Sequence, residues 1–303
     1  MRSLLKRARW RLEYAALCTL RGAVRRLSPT RRAAAARRLG DAVCRVWGYR
    51  REVVLAQLHQ AFPDWDEARR RDVAGRVYGQ IATSLFEFMV MDDLTPERIR
   101  ELVDLDDPGV LAPLRASGRG FIFTTGHFGN FEMLGAALTA HGYPLHVVVR
   151  QQSNPHVDRL QNAIRARSGV QAIRADGSVR QLVKLLRGGG TAAMLPDVNA
   201  GRDGVFVEFL GAPASTPPGL AYFAWKLGCP IVPVFLVRQP DGRHVAHVTP
   251  VIEPDPTQDE ASAVLALTQA HTDRLAEFVR RYPDHWFWVH RRWKTQPPRK
   301  DDS

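Results

Sequence analysis

Cysteine is scarce: Cys18, Cys44 and Cys229 are the only three in 303 residues, and they are widely scattered. An odd, dispersed set excludes a disulfide framework and a zinc-type spacing, which makes a reducing compartment the default expectation and three inert thiols the plain one. No run of roughly eighteen apolar residues occurs, so no segment reads as a membrane-spanning helix. The apolar stretch Leu12–Leu20 is closed by Arg21 and lacks a small-residue cleavage pattern, so it is expected to be retained. There is no Gly-x-Ser-x-Gly elbow, which leaves a serine nucleophile without an evident seat. The run RGGGT at Arg187–Thr191 lacks the Gly-Lys-Ser/Thr ending of a phosphate loop. No internal repeat or long low-complexity segment is present.

Acidic residues are almost missing from the first forty positions, where Glu13 stands against twelve Lys/Arg. That arm carries a net +11 of the chain's +12, so the remainder is nearly neutral. A nucleic-acid binder spreads its cations over a fold face, whereas one basic arm suits an anionic membrane surface. No nucleic-acid partner is therefore expected. Within the arm, Trp10, Tyr14, Leu17, Leu20, Val24 and Leu27 recur at steps of three and four, which predicts an amphipathic helix. Such a helix can lie in the membrane interface with its arginines at the headgroups. The alternative is a helix packed on the protein's own core with a solvated basic face.

A hydrophobic share of 45% is enough for a real core. The sequence SPTRR opens a second helical stretch, and helices continue to about Asp93, with Asp64 or Asp66 as a cap after Pro63. Beyond Gly118 short β-rich runs (Phe121–Thr125, Leu145–Arg150, Thr191–Leu195, Ile231–Val237, His244–Val251) alternate with helix-like segments. The latter are Phe131–His141, Pro155–Ser168, Ser178–Arg187, Pro218–Leu227 and Ala261–Arg281. This alternation predicts an α/β fold, a mostly parallel sheet flanked by helices, with a helical N-terminal extension. The expected organisation is a basic membrane-binding helix (1–28), a helical extension (29–107), a catalytic α/β core (108–295) and a fraying tail (296–303). Residues 29–295 can also form one domain.

The stretch FIFTTGHFGNFEML, Phe121–Leu134, runs from a strand through two glycines into a helix. Sites in open α/β sheets form at the carboxyl ends of strands, and His127 lies there. A carboxylate on one imidazole nitrogen fixes the tautomer and supports the imidazolium, so Glu132 is a candidate partner that would let His127 activate a hydroxyl. Glu132 can equally be the third-position acid of a capping box with Gly129 as N-cap, and a lone histidine can be structural. A rival chemistry would use His127, Glu132 and Asp197 as metal ligands. No second histidine stands at a ligand-like spacing from His127, and no metal is expected.

The segment GHFGNFE resembles the His-x4-Asp/Glu signature of the glycerolipid-type acyltransferases. It is most similar to the late acyltransferases of lipid A biosynthesis, the lauroyl and myristoyl transferases of Gram-negative bacteria. QLHQAFPDWDEARR, VVVRQQSNPHVDRLQNAIRARSG, LPDVNAGRDGVFVEFLGAPASTPPGLAYFAWKLGCPIVPVF and YPDHWFWVHRRWK resemble that family's further segments, in its order, from about Val53 to Lys294. The family usually has Asp-Gln where this chain has Asp197-Val198, which leaves the role of Asp197 open between substrate binding and a structural turn.

The resemblance implies transfer of a fatty acyl group from acyl carrier protein to a hydroxyl of a lipid A precursor, with no cofactor. It also implies a peripheral inner-membrane protein working at the cytoplasmic leaflet. His127 would be the general base and Glu132 its orienter. Arg150, Asn154, Arg165, Arg167 and Asp197 would be substrate-binding. Arg150 follows a strand and would bind phosphate or developing oxyanion charge; Arg165 and Arg167 can instead be a solvated helix face. Phe209, Gly211, Pro213 and Ala214 would shape an acyl channel or form an ordinary turn. The strip His285, Trp286, Trp288, His290, Arg291 and Trp293 would meet the membrane interface or complete the core. Alternative acceptors are another glycolipid, such as a phosphatidylinositol mannoside, or a lysophospholipid. A non-enzymatic membrane-surface protein is the remaining alternative.

Overall fold

The computed structural model describes residues 2–107, 109–174 and 179–298, so the end of the tail expected to fray lies outside the described residues. Five helices come first: α1 (Arg2–Arg25), α2 (Pro29–Ala42), α3 (Arg51–Ala61), α4 (Glu67–Phe88) and α5 (Pro96–Leu102). The chain continues through β1 (Val103–Asp106), α6 (Leu111–Ala116), β2 (Phe121–Thr124), α7 (Phe131–Ala140), β3 (Leu145–Val149), α8 (Pro155–Arg167) and β4 (Gln171–Arg174). Then follow α9 (Val179–Arg187), β5 (Thr191–Met194), β6 (Val205–Phe209), β7 (Ala212–Thr216), α10 (Gly219–Leu227), β8 (Ile231–Arg238), β9 (His244–Val248) and α11 (Glu260–Arg281).

Helices begin where short polar side chains serve the free backbone N–H groups of a first turn. Ser28 precedes Pro29 and caps α2, Asp66 accepts from the Arg69 N–H at 2.7 Å to cap α4, and Asp259 caps α11. Of the two caps the sequence allowed after Pro63, Asp66 is the one in place.

Seven strands form one sheet in the order β1-β9-β8-β2-β5-β3-β4. All neighbours are parallel except β8 and β9, which form an antiparallel pair. The central strand β2 shows why its sequence is apolar throughout. Phe121 and Phe123 enter the core with Leu134 and Val232, while Ile122 turns to the opposite face with Leu220 and Ala224. A parallel sheet covered on both faces needs apolar residues at every position. The elements β1, β4 and the separate β6–β7 hairpin are additions to the sequence reading.

The apolar stripe of α1 is turned mainly toward the protein. Val24 is buried beside Ala36, Ala82 and Phe86, Leu17 packs against that cluster, and Tyr14 lies 5.5 Å from the His156 ring. Arg21 grips Asp92 with two hydrogen bonds of 2.6 and 2.7 Å. Leu5, Leu12 and Leu20 remain on the outer face. None of the described helices is long and apolar enough to cross a membrane.

Candidate functional site

His127 stands three residues past the end of β2, and Asp197 three residues past the end of β5. The two strands are paired in parallel from Phe121↔Thr191 to Thr124↔Met194. The same offset carried beyond the strands brings His127 opposite Asp197. Their contact is double: the His127 backbone N–H donates to Asp197 Oδ2 at 2.7 Å, and His127 Nδ1 meets Asp197 Oδ1 at 2.7 Å. Gly126 permits the approach, since a Cβ there would lie 2.9 Å from Asp197 Oδ2. Gly129 is required for a second reason. It adopts φ +57°, and a Cβ would fall 2.1 Å from the Leu236 carbonyl oxygen.

The C-terminal segment closes the site from behind. Trp286 pairs with Phe128 in an antiparallel bridge, and its indole N–H donates to Asp197 Oδ2 at 2.9 Å. The Phe287 N–H donates to the His127 carbonyl at 2.9 Å, fixing the loop from the other side. Trp286, Trp288 and Trp293 are buried, with Phe209 packed on Trp286 and Trp293. The aromatic strip thus completes the core, and Phe209–Ala214 form a hairpin behind the site.

Burial by itself would lower the His127 pKa, but the Asp197 charge and hydrogen bond, with a contribution from the Glu132 charge, outweigh it and raise the value. For Asp197 burial acts upward, and the His127 charge, its two hydrogen bonds and the Trp286 indole drive the carboxyl well below its ordinary range. The Asp197 contact fixes Nδ1 as the protonated nitrogen and leaves Nε2 as the acceptor. Nε2 makes no hydrogen bond among the described residues, and the ring is flanked by Phe131 at 5.2 Å and Phe287 at 6.2 Å. The arrangement can remove a proton from a group presented at Nε2.

A buried layer lies behind Asp197. Arg292, 1% exposed, donates to the Val198 and Ser215 carbonyls and to Thr216 Oγ1. Thr125 Oγ1, His271 Nε2 and Arg292 Nε have no hydrogen-bond partner among the described residues, and their residues line a cavity of about 10 Å³ against Asp197. Burial, reinforced by the Arg292 charge, pushes His271 down to about 3 and keeps it neutral. Burial also lowers Arg292 to about 10, which leaves it a cation behind the carboxylate.

The sequence assigned the contact with His127 to Glu132, and here the geometry differs. Asp197 occupies Nδ1, while both Glu132 oxygens accept from Arg165, at 2.9 Å from Nε and 2.5 Å from Nη2. The cause is local. Asn130, not Gly129, caps α7 by accepting from the Met133 N–H, which puts Glu132 in the first turn facing α8. Glu132 remains close enough to act on the imidazole through its charge. His127, Glu132 and Asp197 do not converge as a ligand set, and no such group occurs among the described residues.

The other expected residues divide. Arg165 reaches the site through Glu132. Arg150 is exposed just past the carboxyl end of β3, the strand paired with β5. Asn154 instead caps α8 and donates to Trp10 O at 2.9 Å and Glu13 Oε2 at 3.0 Å, tying α1 to the core. Arg167 pairs with Asp92 at 3.1 Å, the carboxylate that Arg21 also holds. A cavity of about 1560 Å³ between α2, α4 and the β8–β9 turn has none of His127, Glu132 and Asp197 in its lining.

The family model described as bacterial lipid A biosynthesis acyltransferase matches residues 4–295. The chain is 28% identical to a lipid A biosynthesis lauroyltransferase of Escherichia coli (strain K12), over 86% of this chain and 84% of the relative. It is 25% identical to a lipid A biosynthesis palmitoleoyltransferase of the same organism, over 82% and 80%. A phosphatidylinositol mannoside acyltransferase of Mycolicibacterium smegmatis is 26% identical, over 65% and 64%. Among solved structures, a 1-acyl-sn-glycerophosphate acyltransferase from Thermotoga maritima aligns with TM-score 0.38 and 14% identity, covering 80% of this chain and 97% of that one.

Proposed function

The chain belongs to the bacterial lipid A biosynthesis acyltransferase family, and from that membership we propose that it moves a fatty acyl chain from acyl carrier protein to a hydroxyl of a lipid A precursor. One observation carries the mechanism: an imidazole at the strands' carboxyl ends whose Nδ1 is committed to Asp197 and whose Nε2 is not. In this reading Nε2 takes the acceptor's hydroxyl proton as the oxygen attacks the thioester carbonyl. The C–O bond forms, the C–S bond breaks, and the departing thiolate recovers the proton from the imidazolium. Asp197 holds the tautomer and balances the imidazolium charge. Glu132, held by Arg165, adds negative charge nearby. Arg150 offers a guanidinium to an acceptor phosphate.

The protein works at the cytoplasmic leaflet of the inner membrane, held peripherally. Supporting this are the +11 of residues 1–40 and an α1 whose Leu5 and Leu12 face outward. The second acceptor, a phosphatidylinositol mannoside, is supported by the mycobacterial relative. Mass spectrometry of total lipids from cells with and without the gene tests the assignment. A secondary acyl chain missing from lipid A is expected, and unchanged lipid A refutes it. Acyl transfer assayed in vitro from acyl carrier protein and from coenzyme A separates the donors.

A further inference from the structure

Between α2 and α3 the chain exposes Val46 (79%), Trp47 (78%) and Tyr49 (56%) within four residues. Single exposed apolar residues are ordinary, but three large ones together on one turn leave a patch that water disfavours. The turn is built to hold them outward. The end of α2 widens into a turn of π-helix over Val43–Trp47, and left-handed Gly48 (φ +58°) and Arg50 (φ +55°) reverse the chain into α3. Beneath it Cys44 is buried, the Tyr78 hydroxyl donates to the Tyr49 carbonyl, and Arg50 Nη1 donates to the Val289 carbonyl at 3.0 Å. Three exposed cations, Arg45, Arg50 and Arg51, surround the patch.

The turn is on the site's side of the molecule. Arg50 is fastened to Val289, and the next residue, His290, accepts from the Asn199 N–H at 2.8 Å, two residues past Asp197. His290 lies within electrostatic reach of Asp197, His127 and Arg50 together. On the far flank α1 passes the carboxyl end of β3, where Asn154 holds Trp10 and Glu13.

We infer that the Val46–Tyr49 turn is a wedge that enters the interface of an anionic bilayer, as a second anchor beside α1, with the His127 site between them. Resting on the reading that the acceptor is a membrane lipid, this adds a second point of contact, so that the site's mouth is oriented toward the lipid. Tryptophan and tyrosine bury their rings at headgroup depth while their polar atoms stay hydrated. The exposed arginines complement acidic headgroups.

The test uses the full chain and phosphatidylglycerol/phosphatidylethanolamine vesicles, with binding measured by flotation at fixed salt. Trp47→Ser should weaken partitioning roughly ten- to a hundredfold, the loss expected for withdrawing one large aromatic from an apolar environment. Its melting temperature should stay at the wild-type value. Leu265→Ser is the control: Leu265 is 48% exposed on α11, ten residues before Leu275, which lines the small cavity against Asp197, and so roughly 15 Å away along the helix. It should bind like the wild type. Undiminished vesicle binding by Trp47→Ser overturns the wedge alone. Failure of the wild type to bind any vesicle overturns the membrane-surface reading as well. A wild-type dimer that Trp47→Ser converts to monomer assigns the patch to a second copy and also overturns it.

Discussion

Replacing Asp197 by asparagine tests the core of the catalytic geometry. The carboxylate accepts three hydrogen bonds: 2.7 Å from the His127 N–H, 2.7 Å at His127 Nδ1 and 2.9 Å from the Trp286 indole. An asparagine keeps one acceptor oxygen and turns an NH₂ group toward at least one of those donors. A charge-assisted hydrogen bond contributes about 1.5–3 kcal/mol, so loss of the charge and of one bond should destabilise the fold by roughly 3–5 kcal/mol. The effect on rate is separate. Without a carboxylate at Nδ1 the ring can protonate Nε2 instead, and the contribution of a general base, about 10²- to 10⁴-fold, should disappear from turnover. Asp197 raises the His127 pKa, and the base acts when neutral, so activity rises with pH through that value. In Asp197→Asn the residual activity should therefore rise at lower pH than in the wild type. The stability difference has its own window. The depressed Asp197 contributes stability above the ordinary carboxyl value of about 3.9, and the raised His127 contributes it below about 6.5, losing it as pH climbs through its folded value. The wild type's advantage should peak between roughly pH 4 and 6.5. Single-turnover transfer from acyl carrier protein across pH, beside thermal unfolding, measures both effects. A wild-type rate with an unmoved acid limb would refute the orienting role and reduce Asp197 to scaffolding.

Three further outcomes are expected. Glu132→Gln and Arg165→Gln each strand a half-buried charge, so both should lower activity and melting temperature, and the double variant should be no worse than the poorer single; additive losses would show the pair is not a unit. Arg150→Ala should reduce turnover at limiting acceptor with little change in melting temperature, because the side chain is exposed; loss of thermal stability would assign it to the fold. His271 is held neutral with a pKa near 3, so the unfolded state gains a proton that the native state does not as pH falls below about 6.5. Stability should decline there by roughly 1.4 kcal/mol per pH unit for this group, and urea titrations of His271→Asn should show a shallower slope.

The apolar run Phe121–Thr125 and the glycine-flanked turn after it could be read directly, because a buried parallel strand is locally apolar and a site at its carboxyl end follows. That reading put His127 correctly past β2. The partner at Nδ1 was hidden for a geometric reason: Asp197 meets His127 only because β2 and β5 are neighbours, and one sequence does not show strand order. Glu132 was favoured by proximity along the chain, yet α7 is capped by Asn130 and turns its first carboxylate to α8. Periodicity marked the apolar stripe of α1 without saying what covers it, and Val24 and Leu17 are covered by α2 and α4 rather than left free. The strands β1 and β4 escaped notice because each has only four residues and carries exposed polar positions.

The bridge between Phe128 and Trp286 has a consequence for the order in which a new polypeptide becomes competent. The indole that completes the Asp197 environment leaves the ribosome 89 residues after the aspartate itself. At five to twenty residues per second, several seconds separate the two events. During that interval the strands carrying the base and the carboxylate can pair, but the loop of His127 lacks both its β-bridge and the closing hydrogen bond to Phe287. An oriented base is therefore a property of the finished chain, and the basic arm, made first, is complete long before the site is armed.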